Sequence, residues 1–358
     1  MLTRRRPPLS ELHAERIAFI KPSALGDILH SLPVLSALRV KFPEAHIAWV
    51  VNRSYQPLIE GHRALSETIP FDRGALKGGW RRAAGSSLSL ARTLRKSRFD
   101  LVIDLQGLAR SGLMALATGA KRRVGLSTAR EGAHLAYTDV IDVPDRATSH
   151  AVDRYWRIAE ALGVGELPKR FDVPVQPESQ TWVQSQLQDA PRPWMAFAVG
   201  SRWLTKRWPP DHFAALARRA QEAFGGTAFF VGTPDEAPLA QQVIGQLRGP
   251  LRDFVGSTSL QHLAGLLEAA DVLISNDTGP LHLAAALGRP CVAPYTCTQV
   301  RRHGPYGQAG AVETTVWCAG SYLRTCDRLE CMTELTPDRL WPVLASTLSA
   351  WASHSRSA

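Results

Sequence analysis

Short apolar runs recur at residues 17–20, 47–51, 101–103 and 123–126, each bounded by turn-forming residues. Between them, segments near 27–42, 86–97, 108–118 and 148–162 repeat their apolar positions every three or four residues. A short apolar run bounded by turns predicts a buried strand, and the longer repeat predicts a helix packed through one face. A second alternation has runs at 194–199, 228–231, 251–255, 272–275 and 291–294, with helical patterns near 211–224, 235–248, 259–269 and 280–288. Strands alternating with helices predict parallel sheets covered on both faces. Two such series predict two α/β domains, residues 15–172 and 173–336. The proline-rich stretch 171–178 is the expected linker, and residues 1–14 are expected to be a disordered tail. A last helix near 337–352, in a terminal segment 337–358, could pack back on the first domain. No internal repeat is visible.

Two of the predicted strand-to-helix turns carry chemistry. The first reads Lys21-Pro22-Ser23-Ala24-Leu25-Gly26-Asp27. Gly26 permits a tight turn, and Asp27 is placed to begin a helix with apolar residues at 28, 32, 35, 38 and 42. The plain structural use of such an aspartate is an N-cap, which is compatible with a catalytic role. Pro33 fits a first turn and would kink the helix further in. The second turn reads Ser275-Asn276-Asp277-Thr278-Gly279-Pro280-Leu281-His282. It aims backbone N–H groups and the positive end of a helix dipole at one point, as a phosphate or pyrophosphate requires. An ordinary βα turn with an aspartate cap would read the same.

With both turns in view, the chain resembles glycosyltransferase family 9, the heptosyltransferases of lipopolysaccharide inner-core assembly. The resemblance runs from about Arg16 to about Leu344. Its motifs, in order, are KPSALGDILHSLP, the run Phe99–Leu108 followed by Ala120–Gly125, Thr205-Lys206-Arg207-Trp208-Pro209, NDTGPLHLAAALGRP, and Gly304-Pro305-Tyr306-Gly307. Residues 127–131 and 150–154 are most similar to heptosyltransferase I. The resemblance implies a GT-B fold, two Rossmann-like domains whose parallel sheets face a central cleft. It also implies inverting transfer of heptose from ADP-heptose to a Kdo-containing lipopolysaccharide acceptor.

Composition narrows the alternatives. The formal net charge is +10, which suits nucleic acid, an anionic membrane surface or anionic small molecules. No zinc-finger spacing, RNP-type aromatic pattern or basic helix with heptads accompanies it, so no nucleic-acid partner is expected. No uncharged apolar run reaches the roughly 18–20 residues of a membrane span, and no apolar segment follows the basic N-terminus as in a signal peptide. Five cysteines and no export signal suit reduced thiols in the cytoplasm. Peripheral contact with the inner face of the inner membrane is expected. Cys318, Cys326 and Cys331 have no standard zinc spacing and read as structural thiols. The G-x-G-x-x-G, P-loop and G-x-S-x-G signatures are all missing.

Sugar transfer needs a base for the acceptor hydroxyl and positive potential for the departing diphosphate. Asp27 is the expected base, as the family resemblance also implies, and a helix N-terminus favours its ionised form. Asp104 and Asp100 are the alternatives. Lys206 is expected to stabilise the leaving group. On the donor side stand Ser201, Asp277, Thr278, Gly279 and His282, with Glu236 or Asp235 for the ribose. On the acceptor side stand Ser23, Gly26, Asp104, Gln106, Arg123 and Arg130, with Lys121, Arg122, His150 and Arg154 as further cations. No cofactor and no metal are expected, with Mg²⁺ at most stimulatory. The competing readings are a nucleotide-sugar epimerase of GT-B shape and a non-catalytic nucleotide-sugar-binding protein.

Overall fold

The computed structural model describes residues 6–72, 74 and 80–355. The chain divides into two units, at Pro174 and Val175. In the first, β1 (Arg16–Ile20), β2 (His46–Asn52), β3 (Glu67–Phe71), β4 (Leu101–Asp104), β5 (Arg122–Leu126) and β6 (Asp139–Ile141) pair in parallel, in the order β3-β2-β1-β4-β5-β6. In the second, β7 (Trp194–Ala198), β8 (Thr227–Phe230), β9 (Leu251–Asp253), β10 (Val272–Ser275), β11 (Cys291–Tyr295) and β12 (Ala311–Glu313) pair in parallel, in the order β12-β11-β10-β7-β8-β9. Counted from each unit's first strand, the two orders are the same. The alternation of runs and repeats predicts this doubly wound α/β class. The short edge strands β6 and β12, and β3, lack an apolar run long enough to announce them.

In each unit the chain order reverses between the first and fourth strands. Such a switch point opens a crevice at the carboxyl ends of the strands. Register makes the ends level, with Ile20 paired to Asp104 and Ala198 to Ser275. Lys21 therefore emerges beside Leu105, and Val199 beside Asn276. β1, β4, β7 and β10 are buried, as expected of central parallel strands.

Three expectations are corrected by packing. Residues 6–14 are tied to the first unit rather than forming a tail, while residues 1–5 lie outside the described residues. Leu9 is buried, the Pro7 carbonyl accepts from Arg122 at 3.0 Å and the Ser10 carbonyl from Lys41 at 2.6 Å. The helix Pro337–Ser355 buries Leu340, Leu344 and Leu348 among Trp208, Phe213 and Leu216 of the second unit. Each such leucine contributes about 2 kcal/mol of transfer free energy, so this apolar stripe is used within its own unit. Finally, the proline-rich linker stops at Gln176, because Pro177 opens a helix, Pro177–Leu187, that packs on the helix Leu260–Ala269.

Candidate functional site

The first unit's switch point is built on a buried lysine. Lys21 follows β1 directly, and its ammonium donates to the Leu105 carbonyl at 3.1 Å, lies 3.8 Å from Asp27 Oδ2 and sits 5.0 Å from the Tyr155 ring centre. Burial works to lower the Lys21 pKa, but Asp27, then Tyr155 and Asp104, outweigh it, and the pKa lies above the ordinary lysine value. The charge is therefore kept inside.

Asp27 occupies the third position of the helix Leu25–Lys41. It is not the cap itself: its carboxylate accepts from the N–H of the capping residue Ala24 at 3.4 Å. Gly26 lies inside the first turn of this helix rather than in the preceding loop, and Pro33 lies within the helix, where it offers the Leu29 carbonyl no amide partner. The Tyr155 hydroxyl donates to Asp27 Oδ1 at 3.0 Å. Burial first, and then Asp27, push that phenol up to about 12, so it stays a donor. With two holders behind it, the Asp27 side chain remains 42% exposed.

Asp104 is used differently from either sequence expectation. It is 1% exposed; its Oδ1 accepts from the N–H groups of Gln106 and Gly107 at 2.8 and 3.2 Å, and its Oδ2 from the Tyr137 hydroxyl at 2.8 Å. Burial raises its pKa. This carboxylate pins the turn after β4 and is closed to a substrate. Gln106 Oε1 accepts from the Ser23 N–H at 3.2 Å, tying the two switch-point turns together. Arg123 is also structural: its guanidinium donates to the Ala136 and Ala120 carbonyls at 2.6 and 2.5 Å. Arg122 is paired with Asp139, and His150 Nδ1 accepts from Val152 to cap the helix that carries Tyr155. Asp100 accepts from the N–H groups of Glu15 and Arg16. The Arg130 side chain is exposed, and its N–H donates to the Gly107 carbonyl at 2.8 Å, beside Gln106.

At the second switch point the aspartate is the buried partner. Lys206 ends a short 3₁₀ turn, Leu204–Lys206, and donates to Asp277 Oδ2 at 2.5 Å over the face of Trp203. Thr298 donates to the same oxygen at 2.7 Å, and His282 Nε2 lies 3.5 Å from Oδ1. Burial alone would raise the Asp277 pKa; the His282 hydrogen bond and the Lys206 charge prevail and hold it well below the ordinary carboxylate range. Asp277 thus holds Lys206 in place, and His282 lies against its other oxygen.

Asn276, fully buried, bridges the paired turns: its side chain donates to the Val199 carbonyl at 2.8 Å and accepts from the Trp208 N–H at 3.1 Å. Thr278 stands at the N-cap position of the helix Gly279–Ala286 without a side-chain capping bond, its hydroxyl donating to the Asn276 carbonyl at 3.3 Å, and Gly279 is the first helical residue. Ser201 is buried and its carbonyl accepts from Arg207 at 2.8 Å. Glu236 accepts from the Thr233 N–H at 2.8 Å and packs so closely on the turn after β7 that a Cβ on Gly200 would collide with its carboxylate. Asp235 beside it is exposed.

Lys21, Tyr155, Asn276 and Thr298 were not singled out by sequence reasoning. Lys21 had a signal, its place directly after a strand in the first motif. Tyr155 had none, since it meets Asp27 from a helix far along the chain. Among the described residues, no group of three or more His, Cys, Asp or Glu is arranged to hold a metal ion, and no helix is long and apolar enough to cross a membrane.

The family model described as glycosyltransferase family 9 (heptosyltransferase) matches residues 87–331. The chain is 28% identical over 362 residues to lipopolysaccharide heptosyltransferase 1 of Pseudomonas aeruginosa, covering 94% of this chain and 98% of that one. It is 24% identical over 303 residues to the lipopolysaccharide core heptosyltransferase OpsX of Haemophilus influenzae, covering 84% of each. Among solved structures, a glycosyl transferase of family 9 from Veillonella parvula superposes with a TM-score of 0.81 at 24% identity, over 94% of this chain and 97% of that one. The E. coli heptosyltransferase WaaC with ADP gives 0.74 at 24% identity, over 93% and 99%. The fold class is GT-B.

Proposed function

The chain belongs to glycosyltransferase family 9, and on that footing we propose that it transfers a heptose from ADP-heptose to a Kdo-containing lipopolysaccharide inner-core acceptor, inverting the anomeric carbon. The observation that carries the reading is Asp27, a half-exposed carboxylate at a switch point, held from behind by Lys21 and Tyr155. An acceptor hydroxyl attacks C1 of the heptose, the bond from C1 to the phosphate oxygen breaks, and the hydroxyl proton passes to Asp27. A carboxylate is a weak base, but the hydroxyl becomes acidic as its oxygen bonds to carbon, so acceptance late in the step suffices.

ADP leaves with growing negative charge. Lys206, fixed by Asp277, supplies the matching positive charge, and the N-terminus of the helix Gly279–Ala286 adds backbone donors. These fixed groups do what a divalent ion does in other transferases, so metal is at most stimulatory. Glu236 is assigned to the ribose and Arg130 to the anionic acceptor. A single displacement is favoured because Asp104, the other carboxylate at the first switch point, is buried and fully used. The setting is cytoplasmic, with peripheral contact to the membrane that carries the acceptor.

The test is incubation with ADP-heptose and a de-acylated Kdo-bearing acceptor. The expected result is stoichiometric ADP release, a product heavier by one heptose and an inverted anomeric configuration by NMR. An isomeric nucleotide sugar formed without acceptor would mark an epimerase, and ADP binding without turnover a binding protein.

A further inference from the structure

The positive charge of this chain is concentrated. Residues 80–130 contain eleven Lys or Arg against two Asp, nine of the net ten positive charges. Neither Asp offsets the surface: Asp104 is buried, and Asp100 accepts from the Glu15 and Arg16 N–H groups. No Asp or Glu occurs at 80–96 or at 105–130.

This segment contains two helices, Trp80–Lys96 and Ala109–Thr118, that cover the same side of the first sheet. Leu94 of the first and Met114 and Ala115 of the second share one buried cluster with Ala18, Val50 and Val102. Their outward sides carry leucines as well as cations. Leu88 on the first helix and Leu113 and Leu116 on the second are exposed, Leu113 by 66%. The turn Ala133–Ala136 packs on the second helix, its Ala133 and Ala136 closing over Gly112, and it projects Leu135, which is 81% exposed. Arg92 and Arg110 are exposed on the same helices. Two acidic residues lie beside these helices: Glu131, which accepts from the Ala109 N–H at 3.2 Å, and the exposed Asp72, next to Phe71 under the Arg110 guanidinium.

We infer that this face docks the first unit on an anionic lipid bilayer, resting on the reading that the acceptor is lipid-anchored. The cations meet the negative lipid headgroups and the four leucines enter the interfacial zone, the pairing that defines a surface-bound amphipathic element. Projecting leucines gain nothing against a phosphodiester backbone, which sets this face apart from a nucleic-acid surface. The helix Ala109–Thr118 starts two residues after Gly107, whose carbonyl holds Arg130. Docking through it would present the acceptor-side residues of the first switch point to a headgroup at the same surface.

The full chain is tested by sedimentation with phosphatidylcholine vesicles with and without about one-third phosphatidylglycerol. Binding is expected only to the anionic vesicles, weakening with salt. The double variant Leu113→Asp/Leu135→Asp is expected to partition at least about tenfold more weakly, and Arg92→Glu about threefold more weakly. Both should keep wild-type turnover of a de-acylated, water-soluble acceptor, which also reports their folding. Equal binding to neutral vesicles, no binding to anionic ones, or unchanged partition of the leucine variant overturns the proposal. Tight RNA binding that anionic vesicles fail to displace reassigns the face to nucleic acid. If the wild type transfers no heptose to the soluble acceptor, the proposed function fails, while vesicle partition still decides the surface.

Discussion

The two switch points of this molecule use the same pair of residue types in opposite senses. In the first unit the lysine is hidden and the aspartate shown, with Lys21 and Asp27 side chains 3% and 42% exposed. In the second the aspartate is the more hidden, with Lys206 and Asp277 at 17% and 5%. Topology is shared, so the difference lies in what surrounds each buried charge. Lys21 is repaid for its lost hydration by Asp27, Tyr155 and the Leu105 carbonyl. Asp277 is repaid by Lys206, Thr298 and His282. A buried ion of one sign, satisfied on its inner side, orients an ion of the other sign at the surface. One fold thereby makes a carboxylate-presenting crevice and an ammonium-presenting one, which suit the proposed proton acceptance and anion stabilisation respectively.

The sharpest way to break this comparison is Asp27→Asn, which keeps the shape and removes the proton acceptor. Turnover should fall by about 10²–10⁴ with ADP affinity retained in calorimetry; near-normal turnover would falsify the division of labour. Next is Lys206→Ala. Losing charge stabilisation of about 2–4 kcal/mol should lower kcat/KM and ADP affinity together, and an unchanged pair of values would place this lysine outside the donor site. Asp277→Asn sharpens the distinction between binding and positioning. The amide frees Lys206 from its fixed place while leaving its charge, so steady-state kinetics should show kcat lower by about tenfold and ADP affinity undiminished.

The two pairs should also titrate at opposite ends of the pH scale. Lys21 has a raised folded pKa, so its contribution is complete below the unfolded value of about 10.4 and is lost as pH rises through the folded value. Asp277 has a lowered folded pKa, so its contribution is present above about 3.9 and is lost as pH falls through the folded value. In thermal melts, the gap between wild type and Lys21→Met should close only in alkali, and the gap to Asp277→Asn only in acid. Parallel gaps across the range would deny the two pairs their opposite electrostatic roles. The smallest expected effect is that of EDTA: with Lys206 and a helix N-terminus in place, transfer should persist, and its complete, Mg²⁺-reversible loss would assign part of the leaving-group charge to a metal.

Much of this was legible before the structure. Strand β1 and the turn bearing Asp27, and β10 and the turn bearing Asp277, stand out because a buried parallel strand is a continuous apolar run and the following turn must be polar and small. Lys206 stands out only through its place in the Thr205-Lys206-Arg207-Trp208-Pro209 motif that carries the family resemblance. Three residues named for substrate contact share one feature: Asp104, Arg123 and Asp277 are polar groups at the right edge with hydrogen bonds made inside the fold. A polar residue in a turn looks the same in sequence whether it faces a substrate or a backbone amide.

The sequence by itself determined the doubly wound class, the places of the two chemical turns and the chain's charge, because periodicity, turn chemistry and composition are local properties. Tertiary structure alone decided which member of each ion pair is offered to solvent. That choice depends on groups distant in sequence, Tyr155 beside Asp27 and Thr298 beside Asp277, and on burial, which sets the cost of a charge and exists only once the sheets and helices have packed.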